Sequence, residues 1–307
     1  MRETEIVNRI RSMAEKSASR ELVLGIGDDC AVFRPRAGED LVFTTDLTLE
    51  GRHFQLDTHS ARDVGHLALA RSLSDLAAMG AAPAFCLVSL AVPASRAHTW
   101  LAEFYRGLLA LAKSSGVTLA GGDLSSSDCV LIDVMCCGRV PKGNALTRSG
   151  ARPGDNIYVS GTLGASALGL ATRHGAAWKR HLRPTPRLGL GTRLRELGVS
   201  SCMDLSDGLS LDLRRLCLES RVGATLTKIP IARGASLEQA LHGGEDYELL
   251  FTAPQSVEVP PSIEKIRITN IGSVTKDTPG HILFEGQLLE PLAFDHFHAT
   301  KSSPTRS

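Results

Sequence analysis

SARDVGHLALARSLSDLAAMGAAPAFCLVSLAV, residues 60–92, sets a helix and a strand in tandem and decides the class of the fold. Ser60 followed three residues on by Asp63 is a capping-box pattern, in which side-chain oxygens meet the first unpaired amides of a helix. From there the sequence runs helically to Gly80. AFCLVSLAV, residues 84–92, is a short apolar run between Pro83 and Pro93, the texture of a buried strand. Inside the helix stands Asp75, in a window otherwise made of Leu, Ala, Met, Ser and Gly. An ionised carboxylate is costly to bury there unless a cation or good donors meet it. The same residue also reads as exposed, or as part of a cap before Leu-Ala-Ala-Met-Gly.

The pattern continues outward on both sides. Ile6, Ile10 and Met13 share one face of an opening helix, and LVFTTDL (41–47) is β-rich. Helical spacing returns from about Ser95 to Ser115, and CVLIDVMCCGRV (129–140) is a further strand with Cys136 and Cys137 as buried thiols. The texture breaks at RSGARPGDNIYVSGTLG (148–164), where Pro-Gly-Asp is turn chemistry and a fresh strand enters a glycine-rich turn. A domain boundary is expected there, giving residues 1–149, residues 150–300 and a polar, disordered tail at 301–307. In the second half, 163–174 and 186–198 read as helices, 202–220 as a strand turning into a helix, and 243–254 and 267–274 as strands. Strands and helices mixed in both halves predict an α/β fold of α+β character.

The 307 residues suffice for two domains of ordinary size or one large one. An apolar fraction of 43 % and a charged fraction of 22 % are those of a soluble globular protein. The net charge of +1, from 34 basic and 33 acidic residues, leaves no broad footprint for nucleic acid or an anionic membrane. An acidic ligand must be met locally. The seven cysteines are scattered and contain no CxxC pair, so a reducing cytoplasm is the expected setting. Residues 1–17 lack the apolar core of a signal peptide, and no run is long enough to span a bilayer.

Acidic residues recur beside glycine or at strand ends. Asp28 and Asp29 lie in GIGDDCAVF (25–33), and Asp46 closes VFTTD with Glu50 and His53 behind it. Asp123 follows two glycines, Asp204 and Asp207 flank Leu-Ser before Gly208, and Glu245 and Asp246 follow Gly-Gly. Each alone is an ordinary loop pattern. Together they suit oxygen-rich sites for hard cations, magnesium above all. Zinc would want His and Cys at ligand spacing, and glycoside hydrolysis needs only two carboxylates. Neither a GxxxxGK[ST] phosphate loop nor the HRD and DFG kinase set occurs, so a nucleotide bound here would depend on metal ions for charge neutralisation.

These segments closely resemble the thiamine-monophosphate kinases, in the superfamily of aminoimidazole ribonucleotide synthetase, selenophosphate synthetase and the hydrogenase-maturation dehydratase. The likeness runs in register through GIGDDCAVF, TTDLTLEGRHF, LARSLSDLAAMGAAP, LAGGDLSSS, ALTRSGARPGD, MDLSDGLSLDL, GGEDYELLFT and FDHF. It implies a two-domain synthetase-like fold whose N-terminal sheets join into a barrel across a homodimer. The implied reaction transfers the γ-phosphoryl group of ATP to thiamine monophosphate with several magnesium ions, and leaves open potassium as a further cation. By position, Asp29, Thr44, Thr45, Asp46, Asp75, Asp123, Asp204 and Asp207 resemble the magnesium ligands, with Asp28 as a neighbouring ligand or outer support. Asp29, Asp75, Asp123 and Asp207 are the expected catalytic set. Gly122, Asp123, Arg148 and Ser206 resemble the ATP contacts, and His53, Glu245 and Phe294 the contacts to thiamine. Leu47 and Leu124 depart from the family pattern, and the first departure moves a hydroxyl to Thr48. Without the resemblance, His53 is an ordinary loop histidine and Phe294 a core residue. Lys179, Arg180, Arg183 and Arg187 read as a solvated turn before a helix. Another ATP-using enzyme of the superfamily and a catalytically silent nucleotide-binding protein are the competing readings.

Overall fold

The computed structural model describes residues 3–14, 21–26 and 30–292. Asp28, Asp29, Phe294 and the tail 301–307 lie outside the described residues. The first half contains α1 (Glu3–Ala14), β1 (Leu22–Leu24), β2 (Val32–Phe33), β3 (Glu39–Leu49), α2 (Ala61–Ala78), β4 (Ala82–Val92), α3 (Thr99–Ser115), β5 (Thr118–Ser126) and β6 (Leu131–Pro141). β3, β6, β4 and β5 form a four-stranded sheet in that order, antiparallel except for the parallel β4–β5 pair. Alternate residues of β4 and β6, among them Val88, Leu90, Ile132 and Val134, bury one face against Leu69, Leu73, Phe104 and Leu108 of α2 and α3.

The sequence signals for α2 hold in detail. Ser60 caps it, accepting the Asp63 amide at 3.2 Å, while the Asp63 carboxylate takes the Ser60 hydroxyl at 2.6 Å and Arg183 Nε at 2.6 Å. The helix is buried on more than one side, because Ala77 and Ala78 also pack with Leu190, Leu194 and Phe251 of the second half. Small residues make this sandwiching fit. A methyl group on Gly65 would strike the Phe104 carbonyl, and one on Gly107 would strike that of Arg62. Gly65→Ala is therefore expected to destabilise the protein by about 2–3 kcal/mol through overpacking, seen as a lowered midpoint in thermal unfolding.

The second half contains β7 (Asn156–Ser160), α4 (Ala165–Thr172), α5 (Gly175–Leu182), α6 (Leu188–Leu197), β8 (Ser201–Asp204), α7 (Leu209–Ser220), β9 (Gly223–Leu226), α8 (Leu237–His242), β10 (Leu249–Ala253), β11 (Ser262–Ile263), β12 (Ile266–Thr275), β13 (Ile282–Phe284) and β14 (Gln287–Leu288). Its eight-stranded sheet runs β14-β13-β9-β12-β7-β10-β8, with β11 beside β12. Among the described residues none of the sheets closes on itself into a barrel.

Two expectations need correction. The strand expected from residue 243 begins only at Leu249, because Glu245 (φ 63°) and Tyr247 (φ 49°) are left-handed and break an extended run. The turn expected around residues 179–187 is shorter: Lys179 and Arg180 lie in the last turn of α5, and only 183–187, with Arg183 and Arg187, form the irregular link before α6. Among the described residues no helix is long and apolar enough to cross a membrane.

Candidate active site

A cleft of about 450 Å³ opens where α2 meets the ends of β3 and β8 and the segment 243–247. It is lined by Asp46, Asp75, Asp204, Ser206, Asp207, His53 and Glu245, all expected from the sequence, together with Arg52, Arg71, Ser166, His181 and Tyr247. A second cleft of about 450 Å³ shares Asp75 and Asp204 with the first and adds Thr44, Thr147, Arg148 and Ser149. The two spaces therefore meet at two carboxylates, Asp204 buried and Asp75 half-buried.

Local structure explains how each group is held. Thr44 and Asp46 lie two apart on β3, so both face α2: the Thr44 hydroxyl donates to Asp75, and Asp46 Oδ1 lies 3.3 Å from Arg71 Nη2. Asp204 ends β8 and accepts the Ser74 hydroxyl at 2.7 Å, tying the second sheet to α2. The turn after β8 is shaped by Asp212, a fully buried carboxylate accepting the amides of Ser206, Asp207 and Gly208 at 3.0–3.1 Å. Asp207 also pairs with Arg215. The segment 243–247 lies against this turn, with the Glu245 amide donating to Ser206 O at 2.7 Å and the Tyr247 amide to Leu205 O at 2.9 Å. Gly244 permits that approach, since a Cβ there would sit 2.5 Å from Ser206 O. The His53 Nδ1 accepts the Leu49 amide at 3.0 Å, which assigns the ring proton to Nε2 and makes that nitrogen a donor.

Other expected residues are not gathered here. Thr45 points to the opposite face of the sheet, where its hydroxyl meets Asp133 at 2.5 Å. Asp123 shares that outer face, because Asp123, Ser89 and Asp133 stand in register across β5, β4 and β6. Gly122 is three strands from Asp46, or about 14 Å at the usual spacing of about 4.8 Å. Leu47 is exposed on the outer face, while Thr48 is wholly buried with its hydroxyl unpartnered, so neither supplies a group to the cleft.

The electrostatics are those of a site short of positive charge. Burial first, and the neighbouring Asp204 second, push the Asp75 carboxyl well up; burial likewise raises Asp204, against the opposing Ser74 hydrogen bond. Asp46 is raised by burial despite Arg71. Among the described residues no three acidic, His or Cys groups converge as a ready-made metal cage. Magnesium does not require one: it takes one or two carboxylates and fills its octahedron with water and phosphate oxygens, a donor set that Asp46, Asp75, Asp204 and Asp207 fit. Raised carboxyl values mean that the folded form holds protons the unfolded chain has lost. Stability without metal is then expected to fall as pH climbs from about 4 towards about 7. Magnesium with ATP should accordingly raise the unfolding temperature more at about pH 7.5 than at about pH 5.5, by calorimetry. An equal rise at both would remove the Asp75–Asp204 pair from the cation site.

Two further residues lining the cleft left weak signals in the sequence. Arg71 bridges Asp46 and Glu245 from a helix whose small, apolar residues drew attention only to Asp75. His181 accepts or donates to Ser166 Oγ at 2.9 Å and lies 3.5 Å from Glu245 Oε2, both at Nδ1. Burial, then the adjacent His59, pulls His181 down to about 4, so the ring is neutral and the contact with Glu245 is no ion pair. A serine hydrolase places its serine and acid on opposite ring nitrogens; here both face Nδ1 and Nε2 is buried unpartnered, so Ser166 is not primed as a nucleophile.

The sequence profile described as AIR synthase related protein, N-terminal domain, matches residues 27–140, the stretch that carries Asp46 and Asp75. Thiamine-monophosphate kinase of Escherichia coli K12 is 39 % identical over 310 residues, spanning 92 % of this chain and 94 % of the relative. With that identity and coverage, the chain belongs to the thiamine-monophosphate kinase family. The crystal structure of thiamine-monophosphate kinase from Stenotrophomonas maltophilia K279a superposes with a TM-score of 0.83 at 34 % identity, over 94 % of this chain and 98 % of that one. AaThiL complexed with AMPPCP and TMP superposes with a TM-score of 0.77 at 31 % identity, over 97 % and 99 %.

Proposed function

We infer that this protein transfers the γ-phosphoryl group of ATP to thiamine monophosphate, giving ADP and thiamine diphosphate. The observation that carries this reading is the pair of adjoining clefts meeting at Asp75 and Asp204. One holds Glu245 and His53 for a cationic heterocycle, and the other holds Arg148 for a polyphosphate. The relative complexed with AMPPCP and TMP supports placing two such ligands on this fold. Catalysis then rests on positioning and electrostatics. The acceptor phosphate has a second pKa of about 6, so its attacking oxygen is already ionised at neutral pH and needs no general base. Arg148 supplies a rigid fork of donors to the nucleotide, Glu245 meets the thiazolium charge, and the His53 Nε2–H orients the acceptor. Asp46, Asp75, Asp204 and Asp207 would hold magnesium, which would supply positive charge against the phosphates. Transfer is direct and in line, since among the described residues no primed nucleophile lines the cleft. Purified protein with ATP, magnesium and thiamine monophosphate should form thiamine diphosphate, and labelled ATP alone should leave no label on the protein. A folded sample that forms no product overturns the reading, and a trapped phosphoprotein overturns the direct route.

The finer features belong to the same proposal: domains of residues 1–149 and 150–300, a cytoplasmic setting, several magnesium ions with potassium as a further cation, and a homodimer. Support for the homodimer comes from the outer face of the four-stranded sheet. There Phe43 is 62 %, Leu47 45 % and Leu131 36 % exposed, on the face that also carries Thr45 and Asp123. Pairing of two such faces would close the barrel and give those polar groups a shared setting. Phe43→Glu is expected to shift the species seen by light scattering from dimer to monomer, and a monomeric wild type would refute the pairing.

A further inference from the structure

Of the two arginines lining the first cleft, Arg52 is exposed, whereas the Arg71 side chain is only 13 % exposed. Arg71 stands one helical turn before Asp75 on α2, so it shares that helix face. Its Nη1 lies 3.3 Å from Glu245 Oε1 and its Nη2 lies 3.3 Å from Asp46 Oδ1, while its Nε is buried without a partner. Both contacts are single and long for charge-assisted hydrogen bonds, which close to about 2.7–2.9 Å, and they use two of the five N–H donors of a guanidinium. An arginine whose purpose was to clamp one carboxylate would make the bidentate fork instead.

Each carboxylate that holds Arg71 has another cation to meet under the function proposed above, and this inference rests on that reading. Both line the cleft, where Asp46 would hold the metal and Glu245 would meet the thiazolium. Once both are met, a permanent positive charge remains between them at the floor of a cleft that also carries Asp75, Asp204 and Asp207. The acceptor phosphate is joined to the thiazolium by a two-carbon arm, so with the ring at Glu245 its phosphate lies towards Asp46, over Arg71. We propose that Arg71 binds the acceptor phosphate, passing to it from Asp46 and Glu245 as the metal and the thiazolium take those carboxylates. Arg71 then sets the preference for the phosphorylated substrate over free thiamine.

Arg71→Met keeps the length and apolar stem of the side chain and removes the charge. Binding is measured by titration calorimetry, with magnesium and a non-hydrolysable ATP analogue present, for thiamine monophosphate and for thiamine separately. The variant should lose about ten- to a hundredfold in affinity for thiamine monophosphate, the worth of a hydrogen bond to a charged group, and remain within about twofold for thiamine. Arg71→Lys, which retains the charge without the fork, should show a smaller loss confined to the phosphorylated ligand, and it carries the comparison if the methionine variant does not fold. Unchanged affinity for thiamine monophosphate overturns the proposal. Equal losses for both ligands also overturn it, because Arg71 would then act only by holding Glu245. A wild-type protein that binds neither ligand would bring down the functional reading itself, and this proposal with it.

Discussion

Asp75→Asn is expected to lower kcat/KM by at least about a hundred- to a thousandfold while the thermal midpoint without metal stays level or rises. The residue stands where the two clefts meet, accepts the Thr44 hydroxyl and is pushed up by burial and by Asp204. An amide of the same shape keeps the contact with Thr44 and removes one of two mutually repelling charges, so folding loses nothing that the carboxylate supplied. Phosphoryl transfer loses a group facing the region where charge must be neutralised. Two measurements separate these effects: thermal unfolding with and without magnesium and ATP, and steady-state rates at saturating magnesium. The ligand-induced rise in unfolding temperature should shrink along with the rate. Activity preserved at saturating magnesium would remove Asp75 from the cation site.

Asp75 could be singled out in the sequence because a lone acid inside a run of small apolar residues has no folding reason to be there. The helix around it was equally legible, since cap, periodicity and terminal glycine agree from Ser60 to Gly80. What the chain could not reveal locally was which way each acid points. Thr44, Thr45 and Asp46 read as one block of ligands, yet strand alternation sends Thr45 to the far face. The run Glu245, Asp246, Glu248 shows the same limit in a loop. Glu245 lines the cleft, Asp246 accepts the Gly164 and Ser166 amides at the start of α4, and Glu248 is buried against arginines. Composition treats all three alike, whereas tertiary contacts give them unrelated tasks. Arg71 and His181 escaped because their partners are distant in sequence: 174 residues separate Arg71 from Glu245.

Glu248→Gln is expected to cost about 3–5 kcal/mol and to lower the thermal midpoint by roughly 10 °C. The basic stretch around residues 179–187 reads as a solvated turn; Lys179 is indeed exposed, but on the last turn of α5. Arg180 and Arg187, however, both close on Glu248, whose side chain has no exposure, and Ser160 Oγ donates to the same carboxylate. Arg187 makes the two-point fork, through Nε at 2.9 Å and Nη2 at 2.5 Å. Glutamine has nearly the same size but offers one acceptor oxygen and an NH2 group that faces guanidinium donors. Two arginines, 26 % and 17 % exposed, would be left without their counter-charge. That penalty is the cost of breaking one side of a buried pair, larger than the net worth of the intact pair. Because the cluster ties α5 and the entry to α6 onto the approach to β10, its loss also loosens His181 and Glu245. KM for thiamine monophosphate should therefore rise in the variant more than kcat falls. Adding Arg187→Met to the variant should return part of the lost stability, because one stranded charge is removed. A midpoint within about 2 °C of wild type would show that the arginines reach water on their own and that the cluster does not hold this wall of the cleft.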